Sequence, residues 1–120
     1  MLDHIGLRTK KLDAVVKFYE STLKPLGYAK LAAYEGGAGF GKGETPQLWI
    51  VASKDAPSSV HVAIESSTRK AVDAFHRAAI DAGAKDNGKP GIRADYGANY
   101  YAAFVIDPDG NNLEAVCITA

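Results

Sequence analysis

The chain has 120 residues, of which 47% are hydrophobic, and its 14 basic side chains balance 14 acidic ones. Such a chain can bury the core of one domain, and its zero formal net charge gives no electrostatic reason to expect binding to nucleic acid or to an anionic membrane. Its single cysteine excludes an intramolecular disulfide, and the chain shows neither a bilayer-spanning apolar run nor a signal peptide, so we expect a cytoplasmic protein.

The first half of the chain predicts a strand, a helix and three further strands. Residues 2–8 alternate between apolar and polar side chains, which indicates a strand with His4, Gly6 and Arg8 on one face. Apolar side chains then recur at helical spacing over residues 15–23, which predicts an amphipathic helix. The three remaining strands are predicted at residues 28–34, within the glycine-rich residues 36–43, and at residues 47–52.

The second half predicts the same order of elements. Residues 60–65 alternate again, with His61 and Glu65 on the same face of a strand. A second amphipathic helix follows, with candidates for its N-cap among residues 66–68 and an end at Gly83. This repetition of strand, helix and strands predicts two similar structural units.

The last part of the chain predicts a loop and then a hairpin. Residues 85–99 are rich in Gly, Asn, Lys and Pro and indicate a long loop with at most one short strand. Two apolar runs, residues 101–106 and 113–118, flank a turn at residues 107–110 (Asp-Pro-Asp-Gly), which is typical of a β-hairpin. Glu114 lies within the returning strand, on the face opposite its two neighbours. A carboxylate that faces a buried cavity needs a cation, a hydrogen-bond donor or a metal as its partner, and Arg8 is one candidate.

The two halves echo each other in sequence at a separation of 57 residues. His4-Ile5-Gly6-Leu7 corresponds to His61-Val62-Ala63-Ile64, and Trp49 takes the position that Glu114 has in the second half. Either histidine alone could be a hydrogen-bonded structural residue. If the helices cover one side of a curved sheet, however, His4, His61 and Glu114 all point into its concave side. Two imidazoles and a carboxylate can bind a divalent transition metal.

The two βαβββ units and two motifs resemble the vicinal oxygen chelate superfamily, which includes glyoxalase I, extradiol dioxygenases and the fosfomycin and bleomycin resistance proteins. The motifs are the first strand, His4-Ile5-Gly6-Leu7, and the ending Asp-Pro-Asp-Gly-Asn-Asn-Leu-Glu at residues 107–114. The resemblance implies one domain over residues 1–120 with an α+β fold. In it, two βαβββ modules, at about residues 1–55 and 58–120, form a curved mixed sheet with the helices on its outer face. It also implies that His4, His61 and Glu114 hold a divalent metal ion (Zn, Ni, Mn or Fe) and that two chains form a homodimer.

Two classes of function are open on this resemblance. The first is a metal-dependent enzyme, of lyase, isomerase or dioxygenase type, that chelates a small oxygen-rich substrate, with Glu114 or Glu65 taking part in the reaction. Trp49 stands where glyoxalase I carries a second glutamate, which argues against glyoxalase activity itself. The second class is a metal-free protein of the bleomycin-resistance type that sequesters a ligand by stacking it on aromatic rings. The side chains expected to contact the ligand are Arg8, Trp49, Arg93, Asn99, Tyr100 and Tyr101, although alternation allows only one of the two tyrosines to face the cavity.

Overall fold

A computed structural model describes residues 1–119, so the last residue of the predicted second module lies outside the described residues. The first half forms β1 (Ile5–Thr9), α1 (Leu12–Leu23), β2 (Ala29–Tyr34), β3 (Gly37–Gly41) and β4 (Leu48–Ala52), with a short 3-10 turn at Lys24–Leu26 after α1. The second half forms β5 (His61–Glu65), α2 (Arg69–Asp81), β6 (Lys85–Ile92), β7 (Tyr101–Ile106) and β8 (Asn112–Cys117). Each half is therefore one βαβββ unit.

Each unit builds one four-stranded mixed sheet. The strand orders are β1-β4-β3-β2 and β5-β8-β7-β6, and the first strand of each unit runs parallel to the last while the other pairs are antiparallel. The register is also equivalent, because Gly6 pairs with Trp49 in the first sheet as Ala63 pairs with Glu114 in the second. The predicted α+β fold of two repeated modules is confirmed.

The helices pack on one face of each sheet and on each other, and a single hydrophobic core runs through both units. The apolar stripe of α1 buries Val15, Phe18 and Tyr19, while Val72 and Phe75 of α2 are fully enclosed. Thr68 begins α2 as its N-cap, since its hydroxyl accepts the backbone N–H of Ala71 at 3.0 Å. Within residues 1–119, neither helix is long and apolar enough to cross a lipid bilayer.

The predicted loop over residues 85–99 is wrong for its first half, which forms the eight-residue strand β6. This strand lies at the edge of the second sheet and pairs only with β7, so its side chains need no apolar alternation. Its register shifts on both sides of Gly88, and Pro90 is tolerated where one edge is free. The sequence pattern allowed only a short strand here, and β6 is eight residues long because backbone pairing, and not burial, defines it.

The Asp-Pro-Asp-Gly-Asn turn joins the two units. One oxygen of the buried Asp107 accepts the backbone N–H groups of Asp109 and Asn111, at 2.9 and 2.8 Å, and the other accepts the side-chain amide of Asn111 and the hydroxyl of Tyr19 in α1. The side chain of Asn111 in turn accepts the backbone N–H of Val60, at 2.9 Å, just before β5. The motif therefore fixes the hairpin to the first helix and to the entry of the second module.

Candidate functional site

Strand pairing defines one continuous row of side chains on the face of the second sheet that is turned away from the helices. The row runs Ala63, Glu114, Phe104 and Gly88 across the four strands. We call this face the open face of the second module. The opposite face of β8 carries Leu113, Ala115 and Cys117, which belong to the hydrophobic core. The predicted alternation in β8 is confirmed, and it leaves Glu114 as the one carboxylate in this row.

His61 and Tyr100 together enclose the carboxylate of Glu114. The imidazole Nε2 of His61 lies 2.7 Å from one carboxylate oxygen, and the hydroxyl of Tyr100 donates to the other at 2.5 Å. Glu114 is consequently only 1% exposed although it lies on the open face, whereas 54% of the His61 side chain is accessible. The hydrogen bond to Glu114, aided by burial, raises the pKa of Tyr100 to about 12. The arrangement places an accessible imidazole beside a dehydrated, well-oriented carboxylate.

Aromatic and cationic groups continue the open face beyond this cluster. The ring of Phe104 lies 6.2 Å from the imidazole of His61, and the guanidinium of Arg93 lies over the same ring at 5.3 Å. On the other side, Tyr96 contacts Tyr100 edge to face at 5.2 Å. Neither Phe104 nor Tyr96 was among the predicted site residues. The register between β7 and β8 would have found Phe104, because it faces Glu114 directly.

The equivalent row in the first sheet has a different chemical character. It runs Gly6, Trp49, Gly39 and Ala32, so a single large side chain stands among three small residues. A Cβ at Gly39 would lie 3.0 Å from the indole of Trp49, which shows that the indole rests on the glycine. The exposed ring of Tyr34 lies 6.4 Å from the indole. This row offers aromatic surface and holds no carboxylate equivalent to Glu114.

A cleft of about 340 Å³ separates the first strands of the two modules. Its walls include His4, Gln47, His61 and Glu65 together with apolar side chains such as Ile64. His61 is thus shared between the cleft and the Glu114 cluster. Glu65 lies at the opposite end of β5, where its backbone carbonyl accepts the hydroxyl of Tyr28 at 3.1 Å.

The predicted strand over residues 2–8 is wrong at His4, because β1 begins at Ile5. The exposed imidazole of His4 bonds to the neighbouring carboxylate of Asp3 at 2.7 Å. Across residues 1–119, no group of three or more His, Cys, Asp or Glu side chains is placed to hold a metal ion. The structure therefore brings together two of the three predicted ligands, His61 and Glu114.

Within residues 1–119, three other predicted contact residues make no hydrogen bond to Glu114: Arg8, Tyr101 and Asn99. The guanidinium of Arg8 reaches the backbone carbonyl of Ala56 in the linker between the modules, at 3.4 Å, so Arg8 is not the partner of Glu114. Tyr101 projects toward α2, where its hydroxyl donates to Asp73 at 2.5 Å. Of the two tyrosines, Tyr100 is the one on the open face, as alternation requires. Asn99 is exposed in the loop between β6 and β7.

The pair His61 and Glu114 fits two neighbouring positions around one divalent ion. Metal–nitrogen and metal–oxygen bonds of about 2.0–2.2 Å would place two neighbouring ligand atoms roughly 3 Å apart. The Nε2 and the carboxylate oxygen are hydrogen-bonded at 2.7 Å, so they would give up the shared proton and separate by a few tenths of an ångström around an ion. An imidazole with a carboxylate is a donor set that suits Zn, Ni, Mn or Fe. Tyr100 would remain bonded to the second carboxylate oxygen and keep Glu114 oriented.

Comparisons with known proteins confirm the predicted family. A model of the Glyoxalase/Bleomycin resistance protein/Dioxygenase superfamily matches residues 1–115. A glyoxalase/bleomycin resistance protein from Albidiferax ferrireducens T118 superposes with a TM-score of 0.84 and 24% identity over 98% of both chains. A glyoxalase/bleomycin resistance protein/dioxygenase family enzyme from Burkholderia phytofirmans PsJN gives a TM-score of 0.73 and 18% identity over 98% of both chains. A glyoxalase I mutant from Zea mays gives a TM-score of 0.73 and 25% identity, over 96% of this chain and 46% of that one. Among curated proteins, none matches this sequence.

Proposed function

This chain belongs to the Glyoxalase/Bleomycin resistance protein/Dioxygenase superfamily, and on that premise we propose that it is a metal-dependent enzyme acting on a small oxygen-rich substrate at His61 and Glu114. The observation that carries the proposal is the state of Glu114, which is 1% exposed and yet lies on the face turned away from the core. A buried carboxylate costs free energy unless it is paired, and a purely structural role does not require one at this position. Its partner His61 is accessible to a ligand.

In this proposal, His61 and Glu114 would hold a divalent ion, and His4 of the first module would supply the third ligand. When bound, such an ion polarises two neighbouring oxygens of a substrate as a Lewis acid. Tyr100 holds Glu114 in one orientation, and the side chains around the carboxylate exclude water from it. His4 lies on the wall of the same cleft as His61, and its imidazole would leave its hydrogen bond to Asp3 to reach the ion. In the proposed homodimer, the ligand from the first module could instead be supplied by the second chain.

The proposal is tested by measuring the metal content of protein purified without chelators, by mass spectrometry, together with turnover of oxygen-rich substrates. We expect near-stoichiometric metal in the wild type and its loss, with loss of turnover, in His61→Ala. His76→Ala is the matched control, because His76 pairs with Asp86 of β6 at 2.9 Å and lies outside the site. Metal that stays unchanged in His61→Ala would refute the proposed ligand set.

A second candidate function rests on the aromatic row of the first sheet. Trp49 and Tyr34 present ring surface, and the row that holds Trp49 contains no carboxylate, which favours metal-free binding and sequestration of a flat ligand. Trp49 is the only tryptophan, so its fluorescence reports this face directly. With bleomycin as the probe, sequestration predicts quenching that EDTA does not change. Quenching that requires added metal would instead favour the enzyme.

A further inference from the structure

Arg93 places a cation on the open face of the second module without a carboxylate to neutralise it. Among residues 1–119, its guanidinium makes no ion pair; its two hydrogen bonds go to the backbone carbonyls of Gly91 and Lys89, at 2.9 and 2.7 Å. A guanidinium has five N–H donors in a rigid fork, so three of them remain for a ligand. Arginine pairs with planar carboxylates through such a fork.

The surrounding residues hold this cation in one position. The guanidinium lies over the ring of Phe104 at 5.3 Å, and both pack against Gly88. A Cβ at Gly88 would come within 2.9 Å of the phenyl ring and 3.0 Å of the guanidinium, so the glycine leaves the space that they occupy. A half-buried arginine fixed by backbone carbonyls and a ring is pre-organised, which reduces the entropy lost when it binds a ligand.

The ring of Phe104 also connects Arg93 with the catalytic candidates. The imidazole of His61 lies 6.2 Å from that ring, so the open face presents two polar ends separated by one aromatic surface. One end is His61 with Glu114, and the other is the guanidinium fork. A ligand that satisfies both ends needs oxygen atoms at one end, an apolar body about the length of one ring, and an anion at the other end.

We propose that Arg93 binds a carboxylate of the substrate, which makes the substrate class a small acid with two neighbouring oxygens at the end remote from its carboxylate. The assignment of the oxygen-bearing end rests on the proposed function, whereas the assignment of the carboxylate end rests on Arg93 alone. Arg93 therefore determines specificity, and His61 and Glu114 provide the reacting end.

The test is calorimetric titration of the purified protein with 3,4-dihydroxybenzoate and with 3,4-dihydroxybenzamide. The two probes have the same shape and the same vicinal oxygens, but only the first carries a carboxylate. We expect the acid to bind roughly 10- to 100-fold more tightly than the amide, as expected for hydrogen bonds to a charged group. Arg93→Met should remove the preference, and Arg93→Lys should keep part of it because it keeps the charge without the fork.

Arg77→Met is the matched control, because it removes the same charge from the exposed surface of α2 and should leave the preference unchanged. Equal binding of the two probes by the wild type, no binding of either at millimolar concentration, or a preference that survives Arg93→Met would overturn the proposal. The first comparison uses only the wild type, so it does not depend on how the variants fold. If metal-free protein still prefers the acid over the amide, the role of Arg93 is supported even if the proposed metal chemistry fails. If the protein binds metal but does not prefer the acid, only the role of Arg93 is contradicted.

Discussion

Replacing Tyr19 by Phe should remove the link between α1 and the turn that precedes β8. Tyr19 is 0% exposed, and its hydroxyl donates to Asp107, which is 4% exposed. The variant keeps the aromatic packing, in which the ring of Tyr19 contacts that of Phe18 edge to face at 5.2 Å. Only the hydrogen bond is lost, and Asp107 retains three donors, from Asp109 and Asn111. The substitution therefore isolates one bond between the two modules.

The expected loss of stability follows from the charge and burial of the acceptor. A hydrogen bond to a charged group contributes about 1.5–3 kcal/mol, and the three remaining donors favour a value of about 2 kcal/mol. The entropy of unfolding for a domain of this size is about 0.25 kcal/mol/K, so the melting temperature should fall by about 8 °C. Tyr28→Phe is the control, because its hydroxyl bonds a backbone carbonyl near the surface and its loss should cost only about 0.5 kcal/mol.

The pH dependence of the stability difference between the wild type and Tyr19→Phe provides a second check. Burial, followed by the nearby charge of Asp107, raises the pKa of Tyr19 well above its ordinary value of 10. Below pH 10 both the folded and the unfolded protein keep the proton, so the contribution of the hydrogen bond is complete. Above pH 10 the unfolded phenol ionises first, and wild-type stability falls by about 1.4 kcal/mol per pH unit relative to the variant. Thermal melts should show that the difference in melting temperature between the wild type and Tyr19→Phe shrinks above pH 10. A difference that is absent at neutral pH, or that stays constant above pH 10, would refute this account.

Two further substitutions test local contacts, the first the packing around Trp49 and the second the N-cap of α2. Gly39→Ala should cost about 1–3 kcal/mol and shift the fluorescence of Trp49, because the new Cβ would lie 2.8 Å from Pro46 and 3.0 Å from the indole. Gly6→Ala lies in the same row, but its added Cβ would have nothing within 4 Å, so stability and Trp49 fluorescence should stay unchanged. If Gly6→Ala and Gly39→Ala had equal effects, the packing argument would be contradicted. Thr68→Ala should lower the free energy of unfolding by about 1 kcal/mol in a denaturant titration, since it removes the N-cap of α2. The neighbouring Ser67→Ala should have little effect, and a comparable loss there would show that the cap is not the cause.

Repetition in the sequence predicted the architecture more securely than any single motif did. The echo between residues 4–7 and 61–64 predicted equivalent first strands, and the register of Trp49 with Gly6 and of Glu114 with Ala63 confirms that equivalence. Burial of α1 and α2 followed from their apolar stripes. These features are local or periodic, so one chain is sufficient to reveal them.

The pairing of side chains within the site could not be predicted in the same way. Alternation allows one of Tyr100 and Tyr101 to face the cavity, but the hydrogen bond from Tyr100, which precedes β7, to Glu114 of β8 is a long-range contact that no periodicity encodes. His4 was placed with His61 by their equivalence, but the strand in the first module begins one residue later. The position of a side chain just before the first residue of a strand depends on local contacts such as the hydrogen bond between His4 and Asp3.

The two modules differ most in the rows of side chains on the sheet faces that are turned away from the helices. On the core side, equivalent positions keep the same character, as Leu48 and Leu113 or Ile50 and Ala115 show. On the other side, Trp49 corresponds to Glu114. Burial against the helices requires apolar side chains in both modules, whereas the outward rows are free of that requirement. The hydrophobic core therefore does not require the acid in one row or the indole in the other, and this difference is why we propose reacting groups on the second module and an aromatic contact surface on the first.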